Sequence, residues 1–242
     1  MKKLLALLLA GLMMLSFAAC GNNEDNPSGN EDNPGVSQTD DQGGEENKGN
    51  NKVTFSTEWY TKPFHIKGTV YDGNEPDGEM EIIYDGEALL IWNGEDGEYA
   101  YFEGDTLVSK VLYREDGTIS LRYNGEARSK TIVEFMENEA DFLGGIIFYI
   151  ENLSDYKKAG IETVEGFDCM KYESDEDMLG NTYEFWIDKA TGVFVKEQTI
   201  VTLDVVMGTK LETPETELSY VVNYISVNNV PSVSSVYDLP TE

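Results

Sequence analysis

From residue 64 onward, short runs of alternating apolar and polar residues are cut by Gly, Asn and Asp. Phe64 to Tyr71 alternates and stops at Asp72-Gly73. Gly78 to Tyr84 alternates, with Met80, Ile82 and Tyr84 on one face and Glu79, Glu81 and Ile83 on the other. Asp85-Gly86 turns the chain into Ala88–Trp92, and Asn93 to Gly97 turns it into Tyr99–Phe102. Glu103-Gly104-Asp105 leads to Leu107–Tyr113, and Glu115-Asp116-Gly117 to Ile119–Tyr123. A period of two marks a half-buried strand, and Asn-Gly or Asp-Gly supplies the positive φ of a tight hairpin. The pattern predicts an antiparallel meander.

The period then changes. Ile132, Phe135, Met136, Ala140, Leu143, Ile146 and Ile147 are spaced by three or four, which predicts helix from Thr131, with a break at Gly144-Gly145. Ser154 is expected to cap a short turn through Lys158. Strands resume at Gly160 and continue through Asp168–Glu173, Thr182–Ile187, Val193–Ile200, Thr202–Met207 and Ser219–Val227. A polar loop spans Ser174 to Asn181. Pro214, Pro231 and Pro240 mark loops.

Before this region the chain cannot build a core. Residues 21–51 contain one valine, and Asn-Glu-Asp-Asn-Pro occurs twice. Such a segment buries too little surface to offset its ordering entropy and reads as a disordered tether. Glu24, Asp25, Glu31, Asp32, Asp40, Asp41, Glu45 and Glu46 stand against Lys48 alone, so self-repulsion extends it. The net charge of the chain is -29, which excludes nucleic acid and anionic lipid surfaces as natural partners.

The first residues carry the most specific signal. Lys2 and Lys3 precede an apolar run, Leu4 to Ala19, and then Cys20-Gly21. A basic head, a short apolar core and small residues before a cut describe a secretory signal. The run is short for a membrane span, which needs about 20 apolar residues. Ala18-Ala19-Cys20 resembles a bacterial lipoprotein signal, in which the cysteine becomes the first residue and carries the acyl chains, palmitate among them. Cys20 is the candidate attachment site. Cys169 is then alone, without a disulfide partner, on an alternating strand, and reads as a buried inert thiol.

Catalytic signatures are missing from the sequence. It holds no nucleophile elbow, phosphate loop, dinucleotide fingerprint, zinc-type spacing or calcium loop. The single histidine, His65, reads as a solvated or hydrogen-bonded strand residue. Two carboxylates suffice for a glycosidase, and Trp59, Tyr60, Trp92, Tyr99 and Tyr101 could form a sugar platform, but acids in turns and aromatics in strands are ordinary β-structure.

Residues 160–172, GIETVEGFDCMKY, and 183–196, YEFWIDKATGVFVK, resemble the paired strands of the LolA/LolB-like and LppX-like envelope proteins. There a Gly-containing turn leads to a strand, followed by an aromatic-Ile-Asp-x-x-Thr-Gly hairpin. The resemblance implies a mainly β (α+β) fold: a strongly curved antiparallel sheet or incomplete β-barrel with one or two helices on the concave side. It also implies carriage of lipids or lipoproteins, or sensing of envelope components.

These observations divide the chain into a lipoprotein signal peptide (1–19), a lipidated cysteine and tether (20–51) and a β-rich domain (52–242). The expected protein is a monomeric, non-enzymatic lipoprotein on the cell membrane, facing outside the cytoplasm. It needs no cofactor or metal, and it binds an apolar or amphiphilic ligand or another envelope component. Met80, Ile82, Tyr84, Val111, Tyr113, Leu121, Met170, Tyr172 and Trp186 are the candidate cavity lining. The alternative is a carbohydrate-binding or carbohydrate-active surface lipoprotein.

Overall fold

The computed structural model describes residues 58–204, 208–237 and 239. The signal, Cys20, the tether and Pro240 lie outside them. After a 3-10 turn at Trp59–Thr61, eleven strands form one antiparallel sheet. The first six are β1 (Phe64–Asp72), β2 (Glu75–Tyr84), β3 (Ala88–Asn93), β4 (Asp96–Glu103), β5 (Thr106–Glu115) and β6 (Thr118–Glu126). Helices α1 (Ile132–Asn138) and α2 (Asp141–Glu151) follow. The second meander is β7 (Lys157–Val164), β8 (Phe167–Glu173), β9 (Thr182–Asp188), β10 (Phe194–Asp204) and β11 (Thr209–Val227), and α3 (Val233–Val236) comes last.

The strand order is β6-β5-β4-β3-β2-β1-β11-β10-β9-β8-β7. Each meander is built of neighbouring strands, and one seam joins them: β1 pairs with β11 from Phe64↔Val227 to Val70↔Tyr220. β6 and β7 are the two edges, so the helical segment between them links opposite edges of the sheet. The sheet is open. It is neither closed nor strongly curled, which corrects the incomplete barrel expected above.

Alternation decides what each face carries. Phe64, Ile66, Met80, Ile82, Leu89, Ile91, Phe185, Tyr220 and Val222 pack with Leu143, Ile146, Ile147 and Ile150 of α2 and Ile132, Phe135 and Met136 of α1. On the opposite face Ile83, Ala88, Leu90, Trp92 and Leu112 are covered by Val233, with Val230, Tyr237 and Leu239 against them. Residues 230–237, with Leu239, are therefore a strap over the second apolar layer. Asp85 holds it, accepting a hydrogen bond from the Val233 amide at 2.8 Å. Gly97 is required beneath Trp92: a Cβ there would lie 2.3 Å from the indole ring.

The helix does not break at Gly144-Gly145. α1 ends at Asn138, Ala140 is extended (φ -81, ψ 101), and α2 runs through both glycines. A Cβ on Gly144 would sit 3.4 Å from the Glu137 carbonyl, an ordinary contact, and the glycine continues α2 rather than ending a helix. Thr131 caps α1 by accepting from the Glu134 amide, while the Glu134 carboxylate takes the Lys130 amide, a reciprocal start the spacing had hidden. Ser154 lies inside a 3-10 turn, Leu153–Asp155, and β7 starts at Lys157, earlier than expected. The strands expected at 193–200 and 202–207 are one strand, β10, as far as Asp204. Pro214 lies in β11, not in a loop. Val201 pairs with Glu215 and Leu203 with Lys210, and Pro214 is among the extra residues of that irregularity, where a missing N–H costs little.

Candidate functional site

Asp188 to Gly192, the polar segment after Trp186 and Ile187, makes the turn out of β9. Asp188 Oδ2 accepts from the Thr191 amide (2.9 Å) and hydroxyl (2.7 Å), and Gly192 has φ 81. Lys189 reaches Asp168 at 2.6 Å. These contacts hold a hairpin and leave no acid free to act.

The candidate lining residues divide. Met80, Ile82, Tyr84, Met170 and Tyr172 share the helix-covered core. Trp186 is equally buried but points to the other face, as β-alternation requires. Its indole lies between the ammonium groups of Lys171 (5.1 Å) and Lys196 (4.4 Å), and its Nε1 donates to Glu162 at 2.9 Å. Lys171 is in turn paired with Glu184 at 2.6 Å. Burial lowers the Lys196 ammonium, partly offset by Glu162 and Glu184. Val111 is exposed and Tyr113 half-buried, on β5 away from that core. Leu121 is on the strap side because the hairpin register pairs it with Leu112, the strand neighbour of Val111 and Tyr113 that faces the opposite way.

Between helices and sheet lies a void of about 10 Å³, lined by Trp59, Met80, Ile82, Leu143, Phe194 and Tyr220 among others. That is about the space of one water molecule. Trp59 Nε1 and the Tyr220 hydroxyl, both lining residues, are buried with no hydrogen-bond partner.

Two clusters emerge that the sequence did not single out. In the first, on the strap side, Glu81 Oε1 takes hydrogen bonds from His65 Nε2 (2.7 Å) and Lys67 (2.8 Å), and Oε2 takes one from Tyr237. Burial alone would raise the Glu81 carboxyl; the three hydrogen bonds outweigh it and hold it at about 2. The β1–β2 register could have brought His65, Lys67 and Glu81 together, but Tyr237 is distant in sequence. In the second, Glu197 lies under α2 among Tyr149, Tyr156, Tyr183 and Tyr220, and burial pushes its carboxyl up to about 7. Cys169 is fully buried, and burial with the nearby Asp188 charge pushes its thiol up to about 12, as expected of an inert residue.

A surface cleft of about 390 Å³ opens beside the strap, lined by Asp85, Glu87, Tyr99, Tyr101, Phe102, Ser232 and Ser234. Tyr99 and Tyr101 stack there, 4.7 Å apart at 13°. Of the five candidate sugar-binding aromatics only these two reach it; Trp59, Tyr60 and Trp92 are core residues. Asp85 Oδ1 also accepts from the amides of Glu87 (2.9 Å) and Ala88 (2.8 Å), so with Val233 it bridges three backbone donors.

The molecule so far is an open antiparallel sheet, helices packed on one face and a strap on the other. No family model matches the chain, and no curated protein does. Among solved structures it is similar to MucB in complex with MucA(peri), at 16% identity and a TM-score of 0.36, over 74% of this chain and 56% of that one. A Pseudomonas aeruginosa MucA/MucB complex gives 16% and 0.36, over 75% and 57%. PNGF-II gives 10% and 0.33, over 73% and 30%. The chain thus spans little more than half of the MucB chains. At these values the function rests on this chain's own residues.

Proposed function

We propose that the protein is a non-enzymatic lipoprotein of the cell envelope, anchored through Cys20 and facing outside the cytoplasm. It binds another envelope component with its surface. The observation that carries the surface reading is the packed interior, whose void of about 10 Å³ admits no lipid chain. The anchor rests on Lys2, Lys3, the apolar run and Ala18-Ala19-Cys20. Cys20→Ala is expected to abolish retention in the membrane fraction, as is globomycin; unchanged fractionation would remove the anchor. Native mass spectrometry of the purified protein is expected to show no lipid in its interior, and stoichiometric lipid lost on Met80→Trp would overturn the surface reading.

A second reading is favoured by the cleft: it binds a neutral glycan there. Tyrosine rings offer apolar faces to sugar C–H groups, and Glu87, Ser232 and Ser234 offer hydroxyl partners. The reading is of binding without cleavage, because Asp85 is committed to backbone amides. On an array of neutral oligosaccharides, Tyr101→Ala is expected to weaken any hit by about tenfold, the worth of roughly 1.4 kcal/mol. Undiminished binding would place the glycan elsewhere.

A further inference from the structure

We infer that one water molecule is built into the core between helices and sheet, hydrogen-bonded to the indole Nε1 of Trp59 and the hydroxyl of Tyr220. Both residues line the void of about 10 Å³. Their side chains are buried, at 2% and 1% exposed, and both polar atoms lack a hydrogen-bond partner among the described residues. The volume is about that of one water-sized sphere, so the space takes a single molecule and excludes a larger ligand. This goes beyond the surface-binding reading and does not depend on it.

The rest of the wall supplies no protein partner. Ile66, Ile82, Leu143, Ile146 and Val222 carry neither donor nor acceptor on their side chains. The two polar groups are also held in place by their rings. Trp59 meets Phe64 edge-on at 4.8 Å and Tyr60 at 5.9 Å, and Tyr220 meets Phe142 edge-on at 5.4 Å. An indole N–H or a phenol O–H buried without a partner bears the full desolvation penalty of that group. A water between them accepts from the indole and shares a hydrogen bond with the phenol, and it loses only its own freedom of motion, a smaller term. A purely apolar void of this size stays dry; the two polar groups reverse that balance.

The water joins parts of the chain that are far apart in sequence. Trp59 belongs to the 3-10 turn that precedes β1, and Tyr220 lies on β11 opposite Val70, at the far end of the seam from Phe64. Leu143 and Ile146 of α2 line the space from the helix side. One molecule thus ties the entry turn to the last strand beneath the helices. Trp92 Nε1 is buried without a partner as well, but it stands in the strap-side layer and takes no part in this tie.

Tyr220→Phe keeps the ring and removes the hydroxyl, and two measurements use it. A crystal structure of the protein, at a resolution that shows ordered waters, is expected to hold one density peak within about 3.2 Å of both atoms. The same place is expected to be empty in Tyr220→Phe. In solution, oxygen-17 magnetic relaxation dispersion on the full-length protein counts long-lived internal waters, and the count is expected to fall by one in the variant. An empty space in the wild-type protein overturns the inference. So does a peak that touches one of the two atoms alone, a direct hydrogen bond between Trp59 and Tyr220, or an unchanged count of long-lived waters in Tyr220→Phe.

Discussion

Truncating Phe185 to alanine is expected to destabilise the fold by about 4 kcal/mol, the upper part of the range for large aromatic core residues. Phe185 is 1% exposed and lies at the centre of a ring cluster. Phe194 stacks on it at 5.0 Å, Tyr172 at 5.5 Å and Tyr149 at 5.6 Å, and Tyr156 meets it edge-on at 4.9 Å. Alanine removes all four ring contacts, each contributing about 0.5–1.5 kcal/mol beyond buried area, and leaves a cavity that strands on both sides hold open. Urea unfolding at constant pH measures the loss. Phe185→Leu, which refills most of the volume, is expected to recover about half. A loss below about 1 kcal/mol in the alanine variant would mean that α2 and β8–β10 do not share a core.

Removing the Glu81 carboxylate is expected to cost about 3 kcal/mol near neutral pH, because Glu81→Ala strands partners that burial has taken from water. His65 is 6% exposed and loses its acceptor, as does the Tyr237 hydroxyl; Lys67 is half-exposed and recovers by hydration. The pH dependence has a definite sign. The carboxyl is depressed from 4.5 to about 2, so its contribution is complete above about 4.5 and is lost as pH falls toward 2. A wild-type stability that drops through that window, with the difference from Glu81→Ala shrinking alongside, is the expected result. A difference that persists at about pH 2 would assign the effect to packing alone. The strap should report it too, since Tyr237 binds the same carboxylate.

Much of the fold was legible because its chemistry is local. Asp72-Gly73, Asp85-Gly86 and Glu115-Asp116-Gly117 announce hairpins without reference to anything distant, and the faces of Met80, Ile82 and Tyr84 follow from strand alternation. The helical segment was legible from its spacing, but its break was misplaced: the chain leaves helix at Glu139-Ala140, and Gly144-Gly145 continue α2. Leu121 belongs to the face opposite Val111 and Tyr113, because the hairpin turn pairs it with Leu112, a register that alternation along one strand does not supply. The openness of the sheet was equally hidden. It depends on which strands find each other across the chain, and the β1–β11 pairing leaves no local mark. Candidate sites suffered most: the Glu81 cluster needs Tyr237, and the Glu197 environment gathers tyrosines from four separate segments.

That β1–β11 seam also sets an order of events in time. Each meander can form from neighbours as it emerges, but β1 must wait for a partner 150 or more residues later, between Tyr220 and Val227. If the chain crosses a membrane head first, the first meander spends that interval with Phe64, Ile66 and Val70 on an unpaired edge. Such an edge is the part of a growing sheet most open to wrong partners. The last strand therefore acts as a completion signal, and damage to it is expected to harm folding yield more than its share of buried area suggests.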